Sequence, residues 1–269
     1  MIYAPSPNLI QHLHFKGVLN LSVKGRVFRM QHYGFQIENE LFWLGIDNGW
    51  EKISLDLWSR LSEDSAVIFD IGANTGIFAL VAQTMNPNAK VFAFEPVKRV
   101  YEKLEHNFEI NDYPIEGFET AVSNYDGTAT IYDKKDSEHI LSVTVNKNLL
   151  ASDSDTVPTE ITTIRLDTII EANGVEQIDL MKIDVETHEA EVLEGMGKYL
   201  EEFKPTMLIE ILSDEVGKAV EELVKELDYL YFNIDEANST VKKADTITKS
   251  DYFNYLLCRE DIARKLSII

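Results

Sequence analysis

An acid, two glycines and an asparagine stand in the order Asp70-Ile71-Gly72-Ala73-Asn74-Thr75-Gly76, and a second acid, Glu95, follows the apolar run Val91-Phe92-Ala93-Phe94. Glycines at both ends of such a turn let backbone approach a ligand closely, and asparagine tolerates a left-handed conformation. A carboxylate at the tip of the following strand accepts hydrogen bonds from both hydroxyls of a ribose. The turn reads Gly-x-x-x-Gly rather than the G-x-G-x-x-G that presents bare backbone to a pyrophosphate. Asp70 repels phosphate and suits a cation. The predicted chemistry is capture of a phosphate-free, cationic nucleoside by Asp70, Gly72, Ala73, Asn74, Gly76 and Glu95.

A second group of reactive side chains lies at Lys182-Ile183-Asp184-Val185-Glu186-Thr187-His188-Glu189. Asp184 ends a nearly continuous apolar run, where a fourth parallel strand would meet the same crevice. Acids in a first helical turn also serve the helix dipole, and a single histidine is commonly an ordinary side chain. Yet these groups fall where an acceptor has to lie, so Asp184, Glu186 and His188 are the candidate catalytic or acceptor-binding residues. His188 is the expected base, because its intrinsic pKa lies nearest neutrality. Asp184 or Glu186 would orient it or take the proton themselves. The same three residues offer oxygen and nitrogen ligands, so a divalent metal is weighed; without a further ligand the metal-free version is preferred.

The elements that carry these residues are those of a doubly wound α/β sheet. Ala66 to Ile71 and Val91 to Phe94 read as strands, with Ile77, Leu80, Val81 and Met85 as the buried stripe of the helix between them. Pro96 opens the next helix, whose missing N–H costs nothing there. Further strands are expected at Gly117 to Val122, Ile178 to Asp184, Pro205 to Leu212, Tyr229 to Ile234 and Tyr252 to Cys258. Helices are expected at Glu51 to Leu61, Thr187 to Leu200 and Asp214 to Leu227. That makes a seven-stranded sheet with an antiparallel last strand. Residues 1–50, with alternating apolar positions from Val18 to Leu44, read as a β-rich cap; residues 51–269 read as the main domain. Residues 123–165 break the α/β rhythm and read as a β insertion, with strand-like Ser142 to Val145 and a polar loop at Ala151 to Asp155.

Composition narrows the partners. A net charge of −21 and a pI near 4.6 disfavour nucleic acid and anionic membrane. With 45% hydrophobic residues in 269, a large core is available. Cys258, the single cysteine, rules out an intrachain disulfide and fits a reducing compartment. No apolar run approaches the ~18 residues of a membrane helix. The expectation is a cytoplasmic protein with no integral membrane segment and a small-molecule or glycan acceptor, self-association being compatible with the sequence.

The acid-x-Gly-x-x-x-Gly turn with an acid on the next strand resembles the S-adenosylmethionine site of class I methyltransferases. The resemblance narrows when more of the chain is read. Asp70 to Gly76, Phe94-Glu95-Pro96, Ala121-Val122-Ser123, Leu166-Asp167 and Lys182 to Glu186 with His188-Glu189 are similar to motifs of the FkbM-type methyltransferases, in order, across about Glu51 to Leu212. One departure is Thr187, where that family often has glycine. The resemblance implies S-adenosylmethionine-dependent O-methylation, commonly of sugar or polyketide hydroxyls. It implies that Pro96, Thr120 and Ala121 border the nucleoside and that Glu51 lies near the cofactor. A nucleotide-binding oxidoreductase would want phosphate-facing glycines that this turn lacks. A non-catalytic binding module on the same fold would have no need of the Asp184 group.

Overall fold

Val67-Ile68-Phe69-Asp70-Ile71 is apolar on both sides, the pattern of a strand sandwiched between helical layers, and it forms the middle of the main sheet. The computed structural model describes residues 15–134 and 156–269. Along the chain, β1 (Gly17–Val23) and β2 (Arg26–His32) form a hairpin, followed by α1 (Gln36–Leu44) and α2 (Lys52–Ser62). The first α/β half contains β3 (Val67–Ile71), α3 (Ile77–Met85), β4 (Lys90–Phe94), α4 (Lys98–Glu109) and β5 (Glu116–Phe118). Next come β6 (Ala121–Val122), β7 (Gly127–Lys134), β8 (Thr156–Ile164) and α5 (Leu166–Asn173). The second half holds β9 (Leu180–Ile183), α6 (Glu189–Gly195), α7 (Tyr199–Phe203), β10 (Thr206–Glu210) and α8 (Asp214–Val224). The chain closes with β11 (Leu230–Asp235), β12 (Thr240–Ala244), β13 (Asn254–Cys258) and α9 (Glu260–Leu266).

The main sheet has the order β12-β11-β13-β10-β9-β3-β4-β5. Strands β5, β4, β3, β9 and β10 run parallel, and β13 is antiparallel to both β10 and β11. This is the doubly wound arrangement expected, with eight strands rather than seven. The extra strand is β12, which folds back on β11 as a hairpin; its Lys242 and Lys243 are exposed, so hydrophobic periodicity gave no sign of it. The chain winds outward from β3 through β4 to β5, then returns to the other side of β3 as β9. Between β3 and β9 the strand order reverses, and a ligand crevice opens at their carboxyl ends.

Three local expectations are corrected. Residues from Gln36 to Leu44 are helical, not part of the β cap, because their apolar side chains recur at helical spacing. The expected strand Gly117 to Val122 breaks at a turn closed by Thr120 N donating to Phe118 O, 2.9 Å. Its second half, β6, joins a separate three-stranded sheet with β8 and β7. The expected helix Thr187 to Leu200 starts two residues later and divides at Gly197, whose φ is 54°. The strand-like run Ser142 to Val145 and the loop Ala151 to Asp155 lie outside the described residues.

The core has two layers, one on each side of the sheet. On one side Leu19, Phe28 and Met30 of the hairpin pack with Trp58 of α2 and Phe78 to Ala82 of α3. On the other, Phe69, Phe92 and Phe94 pack with Ile169, Leu193 and Val220. No helix among the described residues is long and apolar enough to cross a membrane.

Candidate active site

The turn after β3 owes its path to two glycines and an asparagine with positive φ: 80° at Gly72, 52° at Asn74 and 93° at Gly76. Gly72 N and Ala73 N both donate to Phe94 O, at 3.0 and 2.9 Å, which ties the turn to the end of β4. Parallel pairing of Ile71 with Ile183 then sets Gly72 directly beside Asp184. A Cβ on Gly72 would stand 1.8 Å from the Asp184 carbonyl oxygen, so no larger residue fits.

Glu95 is buried at the tip of β4 and holds the turn from the other side. Its Oε2 accepts from Asn74 N (3.1 Å) and its Oε1 from Val97 N (2.9 Å). Each oxygen keeps a further lone pair, which suits a ligand that donates two hydroxyls. Asp70 is fully buried; its Oδ2 accepts from Ala79 N at 2.8 Å, whereas Oδ1 has no hydrogen-bond partner among the described residues. An orphaned buried carboxylate oxygen below a glycine turn fits a cationic ligand.

One cavity brings together Gly72 to Thr75, Glu95 to Val97, Thr120, Ala121, Lys182, Asp184 to Glu186 and His188. Its remaining wall is apolar: Ile37, Trp50, Ile77, Phe78, and Ile131 with Ile161 from the β7–β8 hairpin. Of the expected site residues, Gly76 and Asp70 support the turn from behind. Glu51 stands at the start of α2, next to Trp50, with φ 44°. Sequence reasoning missed Lys182, Glu210 and the two hairpin isoleucines. Lysine in an apolar strand was the available signal for Lys182, since a fully buried ammonium requires partners.

Those partners are acidic. Lys182 is 1% exposed, and its Nζ donates to Asp184 Oδ2 at 3.0 Å. Carboxylate oxygens of Glu51, Asp184 and Glu210 lie within 4.8 Å of one another. They come from three elements: the start of α2, the tip of β9 and the tip of β10. Glu51 Oε2 is buried with no hydrogen-bond partner among the described residues. Burial, then Asp184, raises the Glu210 carboxyl far above the ordinary carboxylate range.

His188 lines the cavity as expected, but its partners are not Asp184 or Glu186. Its Nε2 meets Ser123 Oγ at 3.0 Å, and its Nδ1 faces Glu191 Oε2 at 3.5 Å. Facing a carboxylate, Nδ1 carries the proton and Nε2 accepts from the serine hydroxyl. Burial lowers the His188 pKa, against the opposing pull of Glu191 and Glu194, so the ring is neutral at neutral pH. Glu189 is a structural acid: its Oε1 accepts from Val185 N (3.3 Å) and Thr187 N (3.2 Å) and so pins the loop that carries Glu186. Thr187 adopts φ 78°, a conformation that favours glycine.

Burial also raises Glu38, Glu51, Asp70, Glu95 and Glu189 to about 7 each. A carboxyl whose folded pKa exceeds its unfolded value contributes stability below the unfolded pKa, and loses it as pH rises through the folded one. His188 acts in the opposite sense but is a single group. The ligand-free protein is therefore expected to melt at a higher temperature near pH 6 than near pH 8, in scanning calorimetry across that window. A flat or inverted profile would show that these carboxyls are better solvated than their burial implies.

The Methyltransferase FkbM domain matches residues 70–233, more than half of the chain. The chain is 30% identical to AMB antimetabolite synthetase AmbE of Pseudomonas aeruginosa, over 49% of this chain and 8% of that protein. It is 27% identical to hexuronic acid methyltransferase AglP of Haloferax volcanii, over 70% of this chain and 73% of AglP. It is 31% identical to 2-O-methyltransferase NoeI of Sinorhizobium fredii, over 54% of this chain and 63% of NoeI. Beyond AmbE and AglP, the chain spans about 60% of the length of the curated relatives it matches. With the glycine turn, Glu95 and Asp184 all inside the matched stretch, the chain belongs to the FkbM methyltransferase domain family.

Proposed function

We propose that this protein is an S-adenosylmethionine-dependent O-methyltransferase acting on a hydroxyl of a sugar, a glycan or a related small-molecule natural product. The observation that carries the reading is the contact between Gly72 and Asp184: the cofactor turn and the acceptor-side acid are neighbours across one strand pair. The names of two relatives support the reading: a 2-O-methyltransferase for transfer to oxygen, and a hexuronic acid methyltransferase for a sugar-type acceptor. The acidity of the chain supports a non-nucleic-acid acceptor. In this reading the boundary between cap and catalytic domain falls at residue 50, and β7 and β8 of the 123–165 insertion contribute a wall through Ile131 and Ile161.

When bound, the sulfonium supplies an already activated methyl group, so the protein's task is alignment and removal of one proton. Glu95 accepts the two ribose hydroxyls, and Thr120, Ala121 and Pro96 border the base. The Gly72–Asn74 backbone faces the amino acid end, and Asp70 acts there through the turn that it supports from behind. On the acceptor side Asp184 Oδ1 accepts the hydroxyl hydrogen, its Oδ2 being held by Lys182. His188 is the second base on the wall, and Glu186 lies beside it on the same loop.

Methyl transfer from labelled cofactor onto a panel of glycans, glycolipid precursors and free sugars tests the reaction. Calorimetry tests the cofactor: S-adenosylhomocysteine is expected to bind, with no comparable binding of NAD. Glu95→Ala is expected to weaken that binding by about 1–3 kcal/mol, since two hydroxyls lose a charged acceptor. Unchanged affinity would reduce Glu95 to a brace for the turn, and tighter NAD binding would overturn the reading.

A further inference from the structure

The acceptor end of this cavity gathers more acidic side chains than its reaction needs, and among the described residues one buried lysine answers them. Asp70 and Lys182 are paired across β3 and β9. Two residues further, Asp184 receives the lysine's hydrogen bond. Ile183 pairs with Ile209, which sets the tip residue Glu210 beside Asp184. The ammonium sits 5.1 Å from the centre of the Phe78 ring, a further favourable contact for a buried cation. Burial pulls the ammonium's pKa down, but Asp184, Glu51 and Glu210 outweigh it and hold it above the ordinary lysine value.

Three carboxylate oxygens within 4.8 Å of one another form a set that ordinarily draws a divalent cation. Here the positive charge is already covalently part of β9. We propose that Lys182 is a positioning residue that acts as the built-in cation of the acceptor site, holding Glu51, Asp184 and Glu210 together in the charge role that a divalent ion would otherwise fill. The inference rests on the methyltransferase reading of this cavity and deepens it. Lys182 satisfies Oδ2 of Asp184, and no other hydrogen bond to that carboxylate exists among the described residues. Oδ1 is thereby left to the acceptor hydroxyl. No group is transferred to or from Lys182; it remains an ammonium throughout, and the hydroxyl proton passes to a carboxylate or to His188. Removing one member of such a buried set leaves the others unbalanced, so the effect of substitution is read as a change in what the carboxylates bind.

The test is a manganese titration, followed by electron paramagnetic resonance, of the full chain and its variants. Wild type is expected to bind Mn²⁺ weakly. Lys182→Met is expected to bind one ion about tenfold or more tightly, through the uncovered carboxylates. Lys182→Met/Glu210→Gln is expected to return to weak binding. S-adenosylhomocysteine affinity is expected to stay within about threefold in all three, because the ribose and turn contacts are untouched. Tight one-to-one Mn²⁺ binding by wild type that disappears in Glu210→Gln would overturn the proposal, since the site would then be a metal site with lysine beside it. A Lys182→Met protein that binds Mn²⁺ no better than wild type would overturn it too. Should Lys182→Met fold poorly, rescue by Mn²⁺ or by added Glu210→Gln supports the charge role, and failure of both rejects it. A wild type that binds no S-adenosylhomocysteine would sink the methyltransferase reading while leaving the manganese result to stand by itself.

Discussion

Gly72→Ala is expected to lower stability by about 3–5 kcal/mol and to weaken cofactor binding at least about tenfold. Two costs add. A non-glycine residue at φ 80° is strained by about 1 kcal/mol or more. The larger cost is steric, because the added Cβ would sit 1.8 Å from Asp184 O and 2.8 Å from Asp184 C, both backbone atoms of the neighbouring strand. Neither can rotate away, so β3 and β9 must part at their tips, where the glycine turn and Asp184 meet. Gly25→Ala separates the two costs. Gly25 has φ 79° but nothing within 4 Å of the added carbon, so about 1 kcal/mol is expected there, with cofactor affinity unchanged. Thermal melts and S-adenosylhomocysteine titrations measure both. Equal effects at the two glycines would mean that the β3–β9 contact is looser than described.

Asp184→Asn is expected to cut turnover by about 10²–10⁴-fold while cofactor affinity stays near its original value. The amide retains the shape but cannot take a proton, and it leaves the buried Lys182 ammonium without its nearest counter-charge. His188→Ala is expected to cost less, because in the resting site Nε2 is engaged by Ser123 Oγ and the ring sits with Glu191. Single-turnover rates with an acceptor found by screening, measured across pH, decide between them. A loss in His188→Ala as large as that in Asp184→Asn, together with disappearance of the acid limb of the pH profile, would make histidine the base. Glu186→Gln is expected to be the mildest of the three. These rates also bear on Ser123: if His188 is the base, the serine must release Nε2 first, and Ser123→Ala would then speed rather than slow the proton step.

The covalent order of residues was enough to bring the glycine turn and Glu95 to one end of the cavity. Asp70, Gly72, Asn74 and Gly76 lie within one turn, and Glu95 ends the next strand, so a single βαβ unit positions them all. The glycine spacing and the apolar runs are local signals, and the doubly wound class followed from the alternation of strand and helix. The expected Asp184 was placed by the same logic, as the tip of a fourth strand. Local signals failed where polarity hides an element. Exposed lysines masked β12, and the alternating runs of the hairpin hide the change to helical spacing at Gln36–Leu44.

The acidic end of the cavity was decided by tertiary structure. Glu51, Lys182, Asp184 and Glu210 approach one another only because α2 begins above the sheet where the tips of β9 and β10 lie side by side. Nothing in the spacing of residues 51 and 210 announces that meeting, because strand order is a property of the whole sheet. Likewise, His188 pairs with Ser123 rather than with its sequence neighbours Asp184 and Glu186, because β6 left the main sheet and came to rest against α6. Gly195 permits that approach: a Cβ there would stand 2.2 Å from Ser123 O. Sequence determines which short segments bend, bury and bind, since those depend on neighbours along the chain. Which charges face each other depends on distances that arise only after the strands have chosen their order, and Coulomb interactions depend on those distances rather than on separation along the chain.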